Sequence, residues 1–194
     1  MGRNKEFEVE AVLEKAMELF WKQGYEKTSM NDLVDYMGIH RKSLYDTFGD
    51  KHSLYLKAMD YYRAKTPENL KATIAHMGSA EEGIKNIFDI KIDGTEGRPW
   101  GCFVVNAATE LAPWDPQVRE KTEDTFSQTE KLMGELIRKG QESGEFSCGL
   151  SAEALGEFLH CTLIGIRVYT RTSMGKEKLH RLADSFLQLI KTKN

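Results

Sequence analysis

The chain reads as all-α, in two unequal parts: a three-helix N-terminal unit with a helix-turn-helix corner, and a larger helical domain behind it. Three observations predict this. Nearly every apolar segment recurs at three- and four-residue steps. No stretch alternates in the strand period. Two very short amphipathic segments meet at Gly38, whereas the later segments are long.

The first helix carries Val9, Val12, Leu13, Ala16, Met17 and Phe20 on one face, and Gly24 ends it. Ser29 is placed to cap the next helix, with Asp32 at its third position; Met30, Leu33, Val34 and Met37 form the inner face. Gly38 allows the turn and Ile39 plugs the corner. Leu44 and Phe48 anchor the third helix from beneath. Asp50 caps a fourth helix with Leu54, Ala58, Tyr61 and Tyr62, and Thr66-Pro67 interrupts it.

The second part restarts at Ser79-Ala-Glu-Glu82, a capping box, followed by Ile84, Ile87, Phe88 and the stem of Lys91. Residues 93–100 (DGTEGRPW) read as a polar loop. CFVVNAATELA is too long and Ala-rich for a strand and reads as a buried helix ended by Pro113. Asp115-Pro116 is a strong helix start. The helix it opens presents Val118, Thr122, Thr125, Phe126, Thr129, Met133, Leu136, Ile137 and Gly140 on one face. Two further helices follow, one with Leu155, Phe158, Leu159, Thr162, Leu163, Ile166 and Tyr169, the other with Leu179, Leu182, Ala183, Phe186, Leu187 and Ile190.

Composition narrows the function. With 27 Lys and Arg against 30 Asp and Glu, the formal charge is −3, so any nucleic-acid affinity must be local. Cys102, Cys148 and Cys161 are too few and too scattered for a disulfide framework, which points to a reducing, cytoplasmic setting. The N-terminus lacks the apolar core of a signal peptide, and no apolar run has the length of a membrane span. His160-Cys161 offers no convergent metal set, so neither metal nor cofactor is expected.

The third helix opens with His40, Arg41 and Lys42 and also shows Ser43 and Tyr45. Cations and hydroxyls at the start of a helix braced by another suit the DNA major groove. Thr28 and Ser29 sit at a helix start that favours phosphate, and Lys51 and His52 sit at the next one. The same pattern also fits a bundle corner with a solvated face. Glu6, Glu8, Glu10, Glu14 and Glu18 make the first helix acidic, so it must face away from any phosphates.

The segments AMELFWKQGYEKTSM and DLVDYMGIHRKSLYDTFGDKHSLYLKAM resemble the N-terminal domain of the TetR family of transcriptional regulators. The likeness runs through Gly24-Tyr25, Thr28-Ser29, Gly38-Ile39, Leu44-Tyr45, Phe48 and Lys51. It implies a DNA-binding domain over residues 1–50, joined by the helix from about 51 to a ligand-binding and dimerisation domain over 51–194. It also implies a homodimer that represses genes from double-stranded operator DNA until a small molecule binds. By position, Thr28, Ser29, Arg41, Lys42, Tyr45 and Lys51 are the implied DNA contacts.

RPWGCFVVNAATELAPWDPQV resembles one TetR subgroup, whose members respond to varied, sometimes electrophilic compounds. Trp100, Phe103, Val104, Ala107, Phe126, Phe158, Cys161 and Tyr169 are candidate walls of an apolar or aromatic pocket. Each also fits ordinary core packing. Asn106, Thr109 and Glu110 are its polar candidates, although a carboxylate on an apolar helix is more often a structural acceptor. Cys102 follows Gly101 near a helix start, with Arg98 close in sequence. That is the profile of a redox- or electrophile-sensing thiol, as well as of an inert buried cysteine.

The last two helices, through Leu155, Phe158, Leu159, Leu163, Leu182 and Phe186, are expected to pair subunits. Gly156, Gly165 and Ala183 would admit close helix approach. A hydrolase built on Cys102 and His160 lacks an orienting third group, and an adaptor that has lost DNA reading conflicts with the intact cations. The reading is therefore a regulator, not an enzyme.

Overall fold

The structure is a computed structural model. It describes residues 2–65, 77–94 and 101–192, with side chains from Val9 onward. Thr66-Pro67, Trp100, Arg98 and the side chains of Glu6 and Glu8 lie outside the described residues. Among the described residues there are nine helices and no strand. They are α1 (Gly2–Gln23), α2 (Met30–Met37), α3 (Arg41–Phe48), α4 (Lys51–Lys65), α5 (Ala80–Asp93), α6 (Phe103–Glu110), α7 (Pro116–Glu142), α8 (Ala152–Tyr169) and α9 (Lys176–Ile190).

The helix boundaries follow local chemistry. At α2, Ser29 Oγ accepts from the Asp32 amide at 3.1 Å and Asp32 Oδ2 accepts from the Ser29 amide at 2.8 Å, a complete capping box. Gly38 ends α2 at φ 72°, and its amide donates to the Val34 carbonyl. Asp50 caps α4 through the Ser53 amide at 2.7 Å, and Asp115 caps α7 through the amides of Gln117 and Val118. At α5 the box expected from Ser79 and Glu82 is half formed. Ser79 accepts the Glu82 amide, but the Glu82 carboxylate takes the Gly78 amide instead.

The chain forms two compact units, residues 1–67 with 106–122, and residues 68–105 with 123–194. α4 packs along α1 with Leu54, Tyr55, Ala58 and Met59 buried, within the first unit. That unit is built on Phe20, Leu33, Met37, Leu44 and Phe48. Tyr55 packs edge-on to Phe20 and Tyr25, its ring centroid 5.0 Å from each, and burial pushes its phenol far above the ordinary range. α2 and α3 then lean on this base.

The second unit has one core, with Ile84, Ile87, Phe88 and Ile92 of α5, Met133, Leu136 and Ile137 of α7, Leu155, Leu159, Leu163 and Ile166 of α8, and Leu179, Ala183, Leu187 and Ile190 of α9. Phe146, between α7 and α8, is buried against Gly140. Gly156 of α8 faces Gly134 of α7 so closely that a Cβ there would lie 2.7 Å from the Gly134 nitrogen and 2.9 Å from its Cα. The expectation that Gly156 serves approach between subunits is thus corrected: the approach lies inside this unit.

Backbone cannot yield as a side-chain tip does. Gly156→Ala should therefore cost about 1–3 kcal/mol by overpacking, read as a lower Tm. An unchanged Tm would show that the two helices separate without penalty.

Candidate functional site

α3 is held from one side only. Leu44 and Phe48 are buried, whereas Arg41, Lys42, Ser43, Tyr45, Asp46 and Thr47 are exposed, and so is the capping residue His40. Tyr45 is 42% exposed. Arg41 is partly tethered, its guanidinium 5.8 Å from the Tyr45 ring centroid and Nη1 3.4 Å from Asn31 Oδ1. Lys42 has no such tether among the described residues. Lys57 braces the far end of the helix, donating to the Thr47 carbonyl at 3.3 Å. The result is a short rod with its cations, hydroxyl and phenol directed outward, which can meet phosphates and base edges.

The flanking positions divide. Ser29 is exposed at the start of α2. Thr28 is fully buried and its hydroxyl donates inward to the Gly24 carbonyl at 2.6 Å, which corrects its placement as an outward contact. Lys51 is part-buried with its ammonium 4.1 Å from the Tyr25 ring centroid. His52 Nε2 lies 2.5 Å from Asp115 Oδ2, so its ring is committed inside the unit and not to a DNA strand.

Asp32 and Asp50 are held below the ordinary carboxylate range by hydrogen bonds from Ser29 and Ser53 respectively.

A second feature ties the reading rod to the rest of its unit. The amides of Tyr25 and Glu26 donate to Glu110 Oε2 and Oε1, each at 3.0 Å. Glu110 is therefore a structural acceptor and not a pocket group. It sits where Gly24, at φ 88°, leaves room: a Cβ at residue 24 would come within 2.9 Å of the carboxylate. Lys121 and Asp60 add a 2.5 Å ion pair between α7 and α4. Sequence reasoning found Glu110 and Asp115 singly but not their partners, because a separation of 85 residues carries no periodic signal.

The pocket candidates also divide. Phe103, Val104 and Ala107 are buried, Asn106 is part-buried, and Thr109 donates to the Asn106 carbonyl. Phe126 packs edge-on against His160, whose Nδ1 lies 3.0 Å from Glu130 Oε1. Phe158, Cys161 and Tyr169 point outward from α8, which removes them from an internal wall. The pairing residues are corrected in the opposite sense. Leu155, Leu159 and Leu163 are buried in the unit's own core, whereas Phe158, Val168, Tyr169 and Leu189 are exposed, and Leu182 and Phe186 are part-buried.

Cys102 is part-buried near the start of α6, and Cys148 and Cys161 are exposed; none is in a disulfide. Among the described residues no cluster of His, Cys, Asp or Glu is arranged to hold a metal ion, and no helix is long and apolar enough to cross a membrane.

Residues 12–58 match the family model described as bacterial regulatory proteins, tetR family, and residues 80–189 match the tetracyclin repressor-like C-terminal domain. The chain is 32% identical to the uncharacterized HTH-type transcriptional regulator YezE of Bacillus subtilis, over 98% of this chain and all of that protein. It is 30% identical to the HTH-type transcriptional repressor ComR of Escherichia coli, over 97% of this chain and 91% of that protein. Among solved structures it is similar to a cysteine mutant of the TetR family regulator CifR complexed with a 26-bp operator DNA. That match has a TM-score of 0.83 and 26% identity, and covers 93% of this chain and 95% of the other.

The Asp115 carboxyl yields a prediction. Burial, the largest influence, raises its pKa, but the Val118 and Gln117 amides and His52 together hold it below the ordinary value. A depressed folded-state value gives stability that is present above the unfolded value and lost as pH falls through the folded one. Asp115→Asn should lower Tm at pH 7 and flatten the decline on going to pH 3. Parallel acid limbs in the two proteins would refute the assignment.

Proposed function

We propose a function from one established premise: the chain belongs to the TetR family of bacterial regulatory proteins. It is a DNA-binding regulator of transcription, not an enzyme. The finer reading is a homodimeric repressor, released from a near-palindromic operator by a small molecule.

The observation that carries this reading is the one-sided burial of α3, which leaves Lys42, Ser43 and Tyr45 outward on a helix of groove-fitting length. Two such rods related by a two-fold axis read two half-sites, hence the palindrome. The pairing surface we assign is the outer strip of α8 and α9, where Phe158, Val168, Tyr169 and Leu189 remain exposed, with Phe158 edge-on to Phe186 at 5.6 Å. Gly165, with nothing within 4 Å of a Cβ built there, leaves room on that strip for a facing helix.

Release requires a ligand that binds better to a state whose rods no longer match the operator. α6 and α7 each have residues in both compact units, so a shift in either helix reaches Glu110, Asp115 and Lys121, the residues that hold the reading unit.

A second reading has its own support: Cys102 is part-buried immediately before α6, whose start favours a thiolate, and Lys91 lies near enough for the two charges to act on each other. A cation beside a thiol favours the thiolate, whose sulfur attacks an electrophilic carbon as the leaving group departs with its electron pair. In a Cys148→Ser, Cys161→Ser background, iodoacetamide should release operator, and a further Cys102→Ser change should prevent release. Release that persists without Cys102 would end this reading.

The main test starts with selection of bound DNA fragments, followed by salt titration of the selected operator. Affinity should fall steeply with salt. Lys42→Ala should reduce the log–log slope by about 1 for each phosphate that the lysine neutralises. Tyr45→Ala should weaken binding roughly tenfold or more, as removal of a group that touches a base edge or a phosphate does. Phe158→Glu should give monomers by sedimentation. Variants of α3 that bind as tightly as the parent, with an unchanged slope, would overturn the assignment of the reading face.

A further inference from the structure

We propose that the larger unit binds a small organic carboxylate with an apolar body between Lys91 and Arg167, and that this is the effector class of the regulator. The second half of that statement rests on the regulatory reading above.

Arg167, in the last turn of α8, is only 6% exposed. Its two terminal nitrogens donate to the backbone carbonyls of Lys91 and Gly101, and its Nε, buried, meets no acceptor. A guanidinium in the interior that touches only carbonyls has no counter-charge, and buried charges ordinarily have one. Lys91, in the last turn of α5, deepens the imbalance. Burial holds its ammonium below the ordinary lysine range; Cys102 acts against that and the Arg167 charge acts with it.

Among the described residues neither cation has a carboxylate partner. The nearest acids along α5 are engaged elsewhere: Asp89 with His180 and Lys85, and Asp93 with His180 and Lys176. Among the described residues two neighbouring cations thus lack an anion; Arg167 is buried, and the part-buried Lys91 is the one through which a ligand would approach.

The open donors suit a carboxylate: the Arg167 Nε–H, on the one guanidinium nitrogen with no acceptor, and the Lys91 ammonium can each meet one of its two oxygens. Ile92, Phe103 and Ile166, adjacent in sequence to Lys91, Cys102 and Arg167, are buried apolar residues of the same unit, which favours a ligand with an apolar body.

The site is also connected. Gly101, at φ 76°, passes so close to α8 that a Cβ would lie 2.6 Å from Arg171 Cγ and 3.1 Å from the Arg167 carbonyl oxygen. An anion that draws Arg167 toward itself therefore loads the Gly101 carbonyl, two residues before α6 begins. The other end of α6 is Glu110.

Full-length protein is titrated calorimetrically with benzoate and octanoate, each beside its amide. At least one carboxylate should bind, with its amide roughly tenfold or more weaker, the usual worth of a charge-assisted bond. Lys91→Met should weaken the carboxylate by a similar factor, leave the amide unchanged, and keep or raise Tm because a buried cation is removed. Arg167→Met is the companion variant; where it fails to fold, Lys91→Met alone decides. Carboxylates that do not bind, or that bind Lys91→Met as tightly as the parent, would overturn the site. Operator binding by the same preparation separates the two failures. Intact, carboxylate-insensitive operator binding removes the effector assignment alone, whereas Lys91-dependent carboxylate binding without operator binding removes the regulatory reading alone.

Discussion

The reading unit depends on a carboxylate that arrives from far along the chain. Glu110 accepts the amides of Tyr25 and Glu26 at the turn between α1 and α2, where two consecutive donors have no helical partner. Unmet, the part-buried Tyr25 amide would cost a desolvation penalty of up to about 1–3 kcal/mol, whereas the exposed Glu26 amide would turn to water. Their satisfaction by one residue fixes where α6 ends relative to where α2 begins. The turn is built for that guest, because Gly24 takes a left-handed φ and presents no side chain to collide with the carboxylate. His52 with Asp115, and Asp60 with Lys121, extend the same attachment along α4 and the start of α7. The proposed reading rod is thus positioned partly by residues from the second half of the sequence.

That arrangement explains which features were readable from sequence. Local ones were. The Ser29–Asp32 capping box, the left-handed Gly38 and the caps at Asp50 and Asp115 involve neighbours within four residues, so spacing alone encodes them. The inward anchors Leu44 and Phe48 followed from helical periodicity. Faces with two apolar sides were not resolved. α8 carries Leu155, Leu159 and Leu163 on one side and Phe158, Val168 and Tyr169 on the other, and hydrophobicity does not say which side faces the chain's own core. Thr28 misled for a related reason: a hydroxyl at a helix start suits phosphate, but it equally suits the Gly24 carbonyl one turn back. The buried Arg167 had no local signal at all, because its partners are carbonyls 76 and 66 residues away.

Charge is not balanced alike throughout the chain. In the first unit Asp60 pairs with Lys121 and Glu110 takes two amides, and in the second His160 meets Glu130, but the cations Lys91 and Arg167 have no carboxylate partner among the described residues. Retaining two like charges in an interior opposes stability, and a pair of apolar residues there would be tolerated or preferred. Such an imbalance fits a place meant to be completed by something from outside.

The small size of the proposed reading face bears on why the proposed dimer would need two heads. α3 offers Arg41 and Lys42, with Lys51 partly occupied by Tyr25, on a chain whose formal charge is −3. Few phosphates are neutralised by one head, so one head alone binds weakly at cellular salt. Joining two heads makes the second binding event intramolecular, which multiplies affinity without any added interaction, provided both rods reach their half-sites together. The same arithmetic makes release economical. In the proposed mechanism an effector would not have to unfold either rod or block its surface; it would only have to spoil the match of spacing, after which each head would fall back to its own weak affinity. In the proposed dimer, control of spacing, and not of the reading residues themselves, is therefore the lever that a chain of this charge would offer to a ligand.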